Sequence, residues 1–334
     1  MSTAELMLPA LRQKEVVSKF PALPERDDSV LKLPEQWNAE DFCHSADPYI
    51  FPFGNSYVGI FQVDAAPARP EGLSYRFAPS IPAVGSSSDV HLRFENHGDK
   101  LLEFWAPEIF QTGNEYHMLV AASNGNNITH RMQHYTSDSL IHSWRWCEEY
   151  PTPSWAIDMT YVPEIDALIY SGWENDNDGF PQHIFAMPAT KNLHPAGDSV
   201  IIGSPIHPYC CRSDEILCGK GLLEGPQALR INNELLGLWV AVSGSWSTDY
   251  TQAIMWLKDS DNPFNSQSWV LDREPWFPQG YGIGHGMTLD MGTEDLVYVG
   301  HRKTVKTPGW DDRVSFFMNI PKRDLLRRRK DVLG

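Results

Sequence analysis

The 334-residue chain is 42% hydrophobic and 21% charged, the composition of a globular protein with a large core, which excludes a disordered or fibrous chain. Its 43 acidic and 27 basic residues leave a formal net charge of -16, which argues against nucleic acid as a partner, because phosphate binders present a basic face. Five cysteines, an odd number without zinc-ligand spacing, predict reduced thiols rather than a disulfide framework.

The first thirty residues hold Leu and Pro but no uninterrupted apolar run behind a basic start, so neither a secretory signal nor a membrane span is read there. The expectation is a cytoplasmic protein whose residues 1–38 form an N-terminal extension packed on the domain that follows. Residues 39–320 carry an internal repeat: a polar or Trp-containing motif, a turn signal, then an apolar run rich in Tyr, Val, Leu and Trp. In chain order the units are Asp47 leading to Gly54-Asn55 and SYVGIFQV, Trp105 leading to Gly113-Asn114 and EYHMLVAAS, and Asp158 leading to Ile165-Asp166 and ALIYSGW. Glu224 follows with Asn232-Asn233 and ELLGLWVAVSG, and His285 with Gly292 and EDLVYVGH. Gly-Asn and Asn-Asn tolerate positive φ and join antiparallel strands tightly, so every unit opens with a hairpin.

The units recur at intervals of roughly 60 residues, room for four strands and their loops. The fold class expected over residues 39–320 is therefore all-β: a five-bladed β-propeller, each blade a four-stranded antiparallel sheet. Residues 321–334 form a C-terminal basic tail whose Arg327, Arg328, Arg329 and Lys330 read as a solvated helix end. Most of the twelve Trp, twelve Tyr and fifteen Phe are expected to fill the core.

In a propeller the first strand of every blade lines the central channel, so Asp47, the Trp105–Glu108 motif, Asp158, Glu224 and His285 converge. Carboxylates gathered this way raise one another's pKa through like charge and desolvation, an arrangement that usually serves chemistry. Cleaving a glycosidic bond with inversion needs a proton donor for the leaving oxygen and a carboxylate that activates water on the opposite face. Taken singly, Asp47 reads as an Asp-Pro turn, and His285 reads equally as a structural histidine or as one touching a metal or a sugar hydroxyl. Glu108 and Glu174 suit hydrogen bonds to substrate or loop closure; His130-Arg131 suits the leaving-group side or a surface salt bridge.

The segments SADPYI (45–50), FWAPEIFQTGNEYHMLVAAS (104–123), SWAIDMTYV (154–162), LLEGPQAL (222–229), SGSWSTDY (243–250) and GYGIGHGMTL (280–289), in this order and spacing, resemble glycoside hydrolase family 43. The resemblance covers about residues 40–320 and is greater to the branch of exo-acting α-L-arabinofuranosidases. It implies inverting release of terminal α-L-arabinofuranosyl residues from arabinan, arabinoxylan or arabino-oligosaccharides. It carries the general base to Asp47, the tuning and orienting carboxylate to Asp158 and the general acid to Glu224. It places His285 deep in the channel beside an ion or water, so no organic cofactor is implied and a structural calcium or sodium ion is admitted there. Trp105, Trp155, Trp173, Trp246 and Tyr281 flank these motifs as sugar-facing aromatics, with Glu108 and His285 completing the substrate set. The implied partner is a carbohydrate, with no nucleic acid or membrane, and the expected assembly is a monomer or weak homo-oligomer. A β-xylosidase, an endo-arabinanase and a non-hydrolytic propeller that binds a carbohydrate or another small molecule are the alternatives. Two stretches depart from the family pattern: the cysteine-rich HPYCCRSDEILCGKG (207–221), expected to reshape the substrate entrance, and the last unit, whose Arg313 only loosely matches the arginine expected there.

Overall fold

Five antiparallel sheets of four strands make up the β-structure of the described residues, arranged as the five-bladed propeller expected from the repeat. The computed structural model describes residues 30–62, 73–92, 94, 95, 101–176, 181–211, 221–307, 309, 310 and 312–334. Strand β1 (Glu40–Cys43) stands apart in the chain from its blade. Blade I consists of β2 (Ala46–Phe53), β3 (Ser56–Gln62), β4 (Ser74–Ala78) and β5 (Asp89–His91). Blade II is β6 (Leu102–Thr112), β7 (Glu115–Ser123), β8 (Arg131–Ser137) and β9 (Arg145–Glu149). Blade III is β10 (Ala156–Val162), β11 (Ala167–Gly172), β12 (His183–Pro188) and β13 (Val200–Gly203). Blade IV is β14 (Leu223–Ile231), β15 (Glu234–Val242), β16 (Thr251–Leu257) and β17 (Trp269–Leu271).

Blade V takes three strands from the C-terminal part of the chain, β18 (Gly284–Asp290), β19 (Asp295–Lys303) and β20 (Arg313–Pro321), and borrows its fourth from the other end. Strand β1 lies antiparallel to β20, with Glu40 opposite Phe317 and Asp41 opposite Phe316. This pairing covers the edge of β20 and ties the two ends of the ring together.

Each blade opens with the hairpin that its turn residues require. Gly54 (φ 58°), Gly113 (φ 61°), Asp166 (φ 45°), Asn232 and Asn233 (φ 52° and 64°) and Gly292 (φ 73°) all sit in the left-handed region that such turns demand. Between blades the sheets pack face to face through apolar layers. One layer joins Val162, Ile169 and Ile184 of blade III to Leu238, Val240 and Met255 of blade IV. Trp239 fills the next gap, edge-on to Tyr298 at 5.7 Å. Trp144, Trp239 and Trp256 are fully buried, so the largest side chains serve the core, each contributing a large area removed from water.

The basic C-terminal run is not simply a solvated tail. It forms a helix, Lys322–Leu333, that docks on the ring through buried Leu325. Arg328 grips both carboxylate oxygens of buried Asp272 at 2.8 Å and 2.8 Å, and Arg329 reaches Glu234, while Arg327 stays in solvent. Of the 207–221 stretch, Cys210 and Cys211 are buried and Cys218 lies outside the described residues, as do residues 1–29 of the N-terminal extension. Cys43, Cys147, Cys210 and Cys211 form no disulfide. No helix among the described residues is long and apolar enough to cross a membrane.

Candidate active site

The first strands of neighbouring blades touch in a closed ring, β2 on β6, β6 on β10, β10 on β14, β14 on β18 and β18 on β2, so they line the axis. Each contains the same irregularity near its start. In β2, Ala46 pairs with Gln62 and Tyr49 with Ile60, so Asp47 and Pro48 together face Phe61. The same two-against-one step lies between Trp105 and Glu108, between Ile157 and Thr160, between Glu224 and Gln227, and between Gly284 and Met287. These are β-bulges, and their first residues all adopt positive φ: Asp47 48°, Ala106 41°, Asp158 57°, Gly225 54° and His285 47°. Four of the five are not glycine, so strain of about 1–3 kcal/mol each is held by the surrounding fold. The second bulge residue is proline in three blades, Pro48, Pro107 and Pro226, where a missing N–H leaves no gap in the ladder.

This register corrects the alignment of the repeats. Asp47, Asp158 and His285 are structural equivalents, but Glu224 and Trp105 precede the bulge by one residue and Glu108 follows Ala106 by two. The acids therefore reach the channel from different positions of the unit.

They meet through a chain of contacts crossing four blades. Asp158 Oδ2 accepts the backbone N–H of Gly225 at 3.0 Å. Gly225 lies flat against the His285 ring; a Cβ there would stand 3.0 Å from Cγ, so the site needs glycine for both its φ and its closeness. His285 Nδ1 faces Asp47 Oδ1 at 3.1 Å. His301 completes the far side: its Nδ1 lies 3.2 Å from the Asp47 backbone nitrogen and 3.1 Å from Asp47 Oδ1, so both histidines face the Asp47 carboxylate.

All these groups are buried, and their charges settle as a set. Burial would raise the Asp47 carboxyl, but the charge of His285, hydrogen bonding from His285 and His301, and the charge of Arg313 overcome it and hold Asp47 well below the usual carboxylate range. Burial also works against the His285 cation, yet Asp47, Asp158 and Glu224 outweigh it and raise its pKa to about 10. Burial pushes Asp158 up to about 6, with the Asp47 charge adding to it against the pull of His285 and the Gly225 N–H. Glu224 is raised to about 7, first by burial and then by the charge of Asp158, while the Tyr250 hydroxyl and His285 pull it down. Glu108 is lifted to about 8, chiefly by burial, and accepts a short hydrogen bond from Gln227 Nε2. Close to neutral pH the channel thus holds an ionised Asp47, a protonated His285 and carboxyl groups that keep or share a proton.

Several members of the site lie away from the marker residues of the repeat. Tyr250 stacks on His301 with rings 5.3 Å apart, and Gln182 Nε2 approaches Glu224 Oε2 at 3.4 Å while donating to Ser171 at 2.7 Å. They come from the second and third strands or their loops: His301 closes the EDLVYVGH run and Tyr250 the SGSWSTDY segment, while Gln182 lies in no motif. Arg313, loosely matched in sequence, is 4% exposed and acts electrostatically on Asp47 and His301.

The aromatic set is dispersed. Trp105 stacks on His130 at 3.8 Å. Trp155 is buried, stacks on half-buried Trp173 at 4.4 Å, and donates its indole N–H to the Asn127 carbonyl. Trp246 lies 5.9 Å from the half-exposed Trp310, which the repeat did not single out, and Tyr281 packs edge-on against Trp37. Arg131 makes a two-pronged pair with Asp176 at 3.0 Å, in keeping with the salt-bridge reading, and Glu174 is exposed and pairs with His183.

With Nδ1 of His285 turned to the Asp47 carboxylate, Nε2 is the ring nitrogen left to meet a sugar hydroxyl, a water or an ion.

No protein-family model and no curated protein matches the sequence. Solved structures that match it include an α-L-arabinofuranosidase from Lactobacillus brevis, with TM-score 0.70 and 16% identity over 83% of this chain and 90% of that one. A thermostable family-43 glycoside hydrolase matches with TM-score 0.65 and 18% identity over 83% and 89% of the two chains. An endo-arabinase from Bacteroides thetaiotaomicron matches with TM-score 0.62 and 16% identity over 84% and 98%. At such identities the likeness is one of architecture: this chain is a five-bladed propeller of the kind on which those carbohydrate-acting proteins are built.

Proposed function

We propose that the protein is an inverting glycoside hydrolase that removes terminal α-L-arabinofuranosyl residues from arabinan, arabinoxylan or arabino-oligosaccharides. The observation that carries this reading is the division of protons in the channel. One carboxylate, Asp47, is kept ionised by His285, while another, Glu224, is pushed up to about 7. Two carboxyl groups driven apart in this way are matched to base and acid. Asp47 takes a proton from water as the water attacks the anomeric carbon, and Glu224 gives its proton to the departing glycosidic oxygen. Asp158, whose charge helps to raise Glu224, keeps the proton there in the free enzyme and anchors the Gly225 N–H that sets the adjoining bulge. His285 stays protonated and stabilises the Asp47 carboxylate until the base is needed. Glu108 is assigned a hydrogen bond to a sugar hydroxyl, and the Trp246–Trp310 pair the apolar faces that sugar rings stack on.

The choice of arabinofuranoside draws on the sequence motifs and on the arabinofuranosidase that shares the fold. Incubation with aryl α-L-arabinofuranoside and β-D-xyloside, followed by NMR of the first-formed sugar, tests both substrate and stereochemistry. Release of β-arabinose from the first substrate supports the reading, and a retained α-anomer or hydrolysis of the xyloside alone overturns it. Binding of sugar without turnover would place the protein among non-hydrolytic propellers.

A further inference from the structure

On the outer rim, away from the channel, His134, Cys147 and Glu148 of blade II meet His194 from the loop that follows β12 of blade III. Their donor atoms all lie within 4.8 Å of one another. We propose that these four side chains form a zinc site that staples blade II to blade III.

The donor set is what zinc takes: one thiolate, two imidazoles and one carboxylate suit a tetrahedral site. Thiolate and carboxylate together balance the charge of the ion, and the thiol proton leaves to solvent as the zinc–sulfur bond forms. Zinc–nitrogen and zinc–sulfur distances of about 2.0 and 2.3 Å require donors roughly 3 to 4 Å apart, within the reach of small side-chain adjustments. Glu148 Oε1 already stands 2.6 Å from His194 Nδ1 and 3.5 Å from His134 Nδ1.

The backbone arranges this on both sides. In the ladder of β8 and β9, His134 faces Glu148 and Tyr135 faces Trp146, so Cys147 is an extra, bulged residue. Neighbouring residues of a regular strand point to opposite faces, and the bulge lets Cys147 and Glu148 serve one site. On the loop, Leu193 is buried with φ 62°, a strained conformation for leucine, immediately before His194. Tyr150 holds it by donating to the Leu193 carbonyl at 2.8 Å, and Thr190 bonds His194 through both backbone and side chain at 2.8 and 3.2 Å.

A hydrogen-bond relay able to hold the required tautomer stands behind the buried ligand. His134 Nε2 lies 3.0 Å from His117 Nδ1, and His117 Nε2 lies 2.6 Å from Thr112 Oγ1. With the protons running from His134 to His117 to Thr112, His134 Nδ1 keeps its lone pair toward the cluster, the outer-sphere support typical of ligating histidines.

The test uses the full-length protein stripped with chelator and titrated with zinc, and separately with cobalt(II) as a spectroscopic probe. Wild type is expected to bind one zinc per chain and to show, with cobalt, a thiolate charge-transfer band and the intense visible bands of tetrahedral geometry. Cys147→Ser should lose the charge-transfer band, and the surface variant His194→Ala should weaken zinc binding by more than roughly 100-fold. His142→Ala, at an exposed histidine outside the cluster, controls for adventitious binding and should match wild type. Zinc bound with wild-type stoichiometry and affinity by His194→Ala and Cys147→Ser, or a cobalt complex of wild type without the thiolate band, would overturn the proposal.

Discussion

His285 Nδ1 stands 3.1 Å from Asp47 Oδ1 across the join between the last blade and the first, and both residues occupy the strained first position of a bulge. The pair makes the channel work as a charge-balanced unit, because the imidazolium answers three acids and keeps the one it touches ionised. Replacing either partner leaves the other buried and uncompensated.

His285→Gln should therefore destabilise the fold by about 3–5 kcal/mol. The pH dependence follows from the direction of the shift. A group whose folded pKa rises from 6.5 to about 10 stabilises fully below the lower value and loses that contribution as the pH climbs through the upper one. Denaturant melts of the two proteins should differ most below neutral pH and converge on approach to about 10. A gap that widens with pH would contradict the imidazolium assignment.

Glu224→Gln keeps shape and removes the transferable proton. Its kcat should fall about 100- to 10,000-fold on substrates with poor leaving groups and much less on activated aryl glycosides, which depart without protonation. Steady-state rates across a series of aryl leaving groups measure this, and an equal loss for all of them would remove Glu224 from the acid role.

Asp158→Asn deletes a charge that helps to hold the Glu224 proton, so the Glu224 pKa should drop from about 7 and the alkaline limb of kcat/KM should move to lower pH. The acid limb belongs to Asp47. Where Asp47 titrates, Asp158, with a pKa of about 6, is already protonated and His285 is still charged, so the replacement should leave that limb in place. The profile of the variant should be narrower than that of wild type, and an alkaline limb displaced upward would refute the assigned role.

Gly225→Ala places a methyl 3.0 Å from the His285 ring in a backbone with φ 54°. The bulge is shared by all five blades, but only this one must be glycine, because here the ring of the next blade lies on the Cα. The substitution should cost about 1–3 kcal/mol in stability and, by tilting His285 away from Asp47, lower kcat more than it raises KM. Thermal melts and steady-state kinetics check both parts.

The repeat, its hairpin turns and the convergence of Asp47, Asp158, Glu224 and His285 were legible in the sequence, because turn chemistry and alternating apolar runs are local and recur in each blade. So was the use of large aromatic side chains in the core, Trp144, Trp239 and Trp256 among them. The exact register was not: a bulge shifts a side chain by one position without altering the composition around it, which is why Glu224 aligns with Trp105 rather than with Asp47. Only the tertiary structure could bring His301, Tyr250 and Gln182 to the acids, since their roles depend on which strands the ring sets side by side. It alone gathers His134, Cys147, Glu148 and His194, whose spacing along the chain matches no zinc motif because the donors come from two blades. It also decides the protonation of the channel, because burial and distance, not residue type, determine which of several like carboxyls keeps its proton.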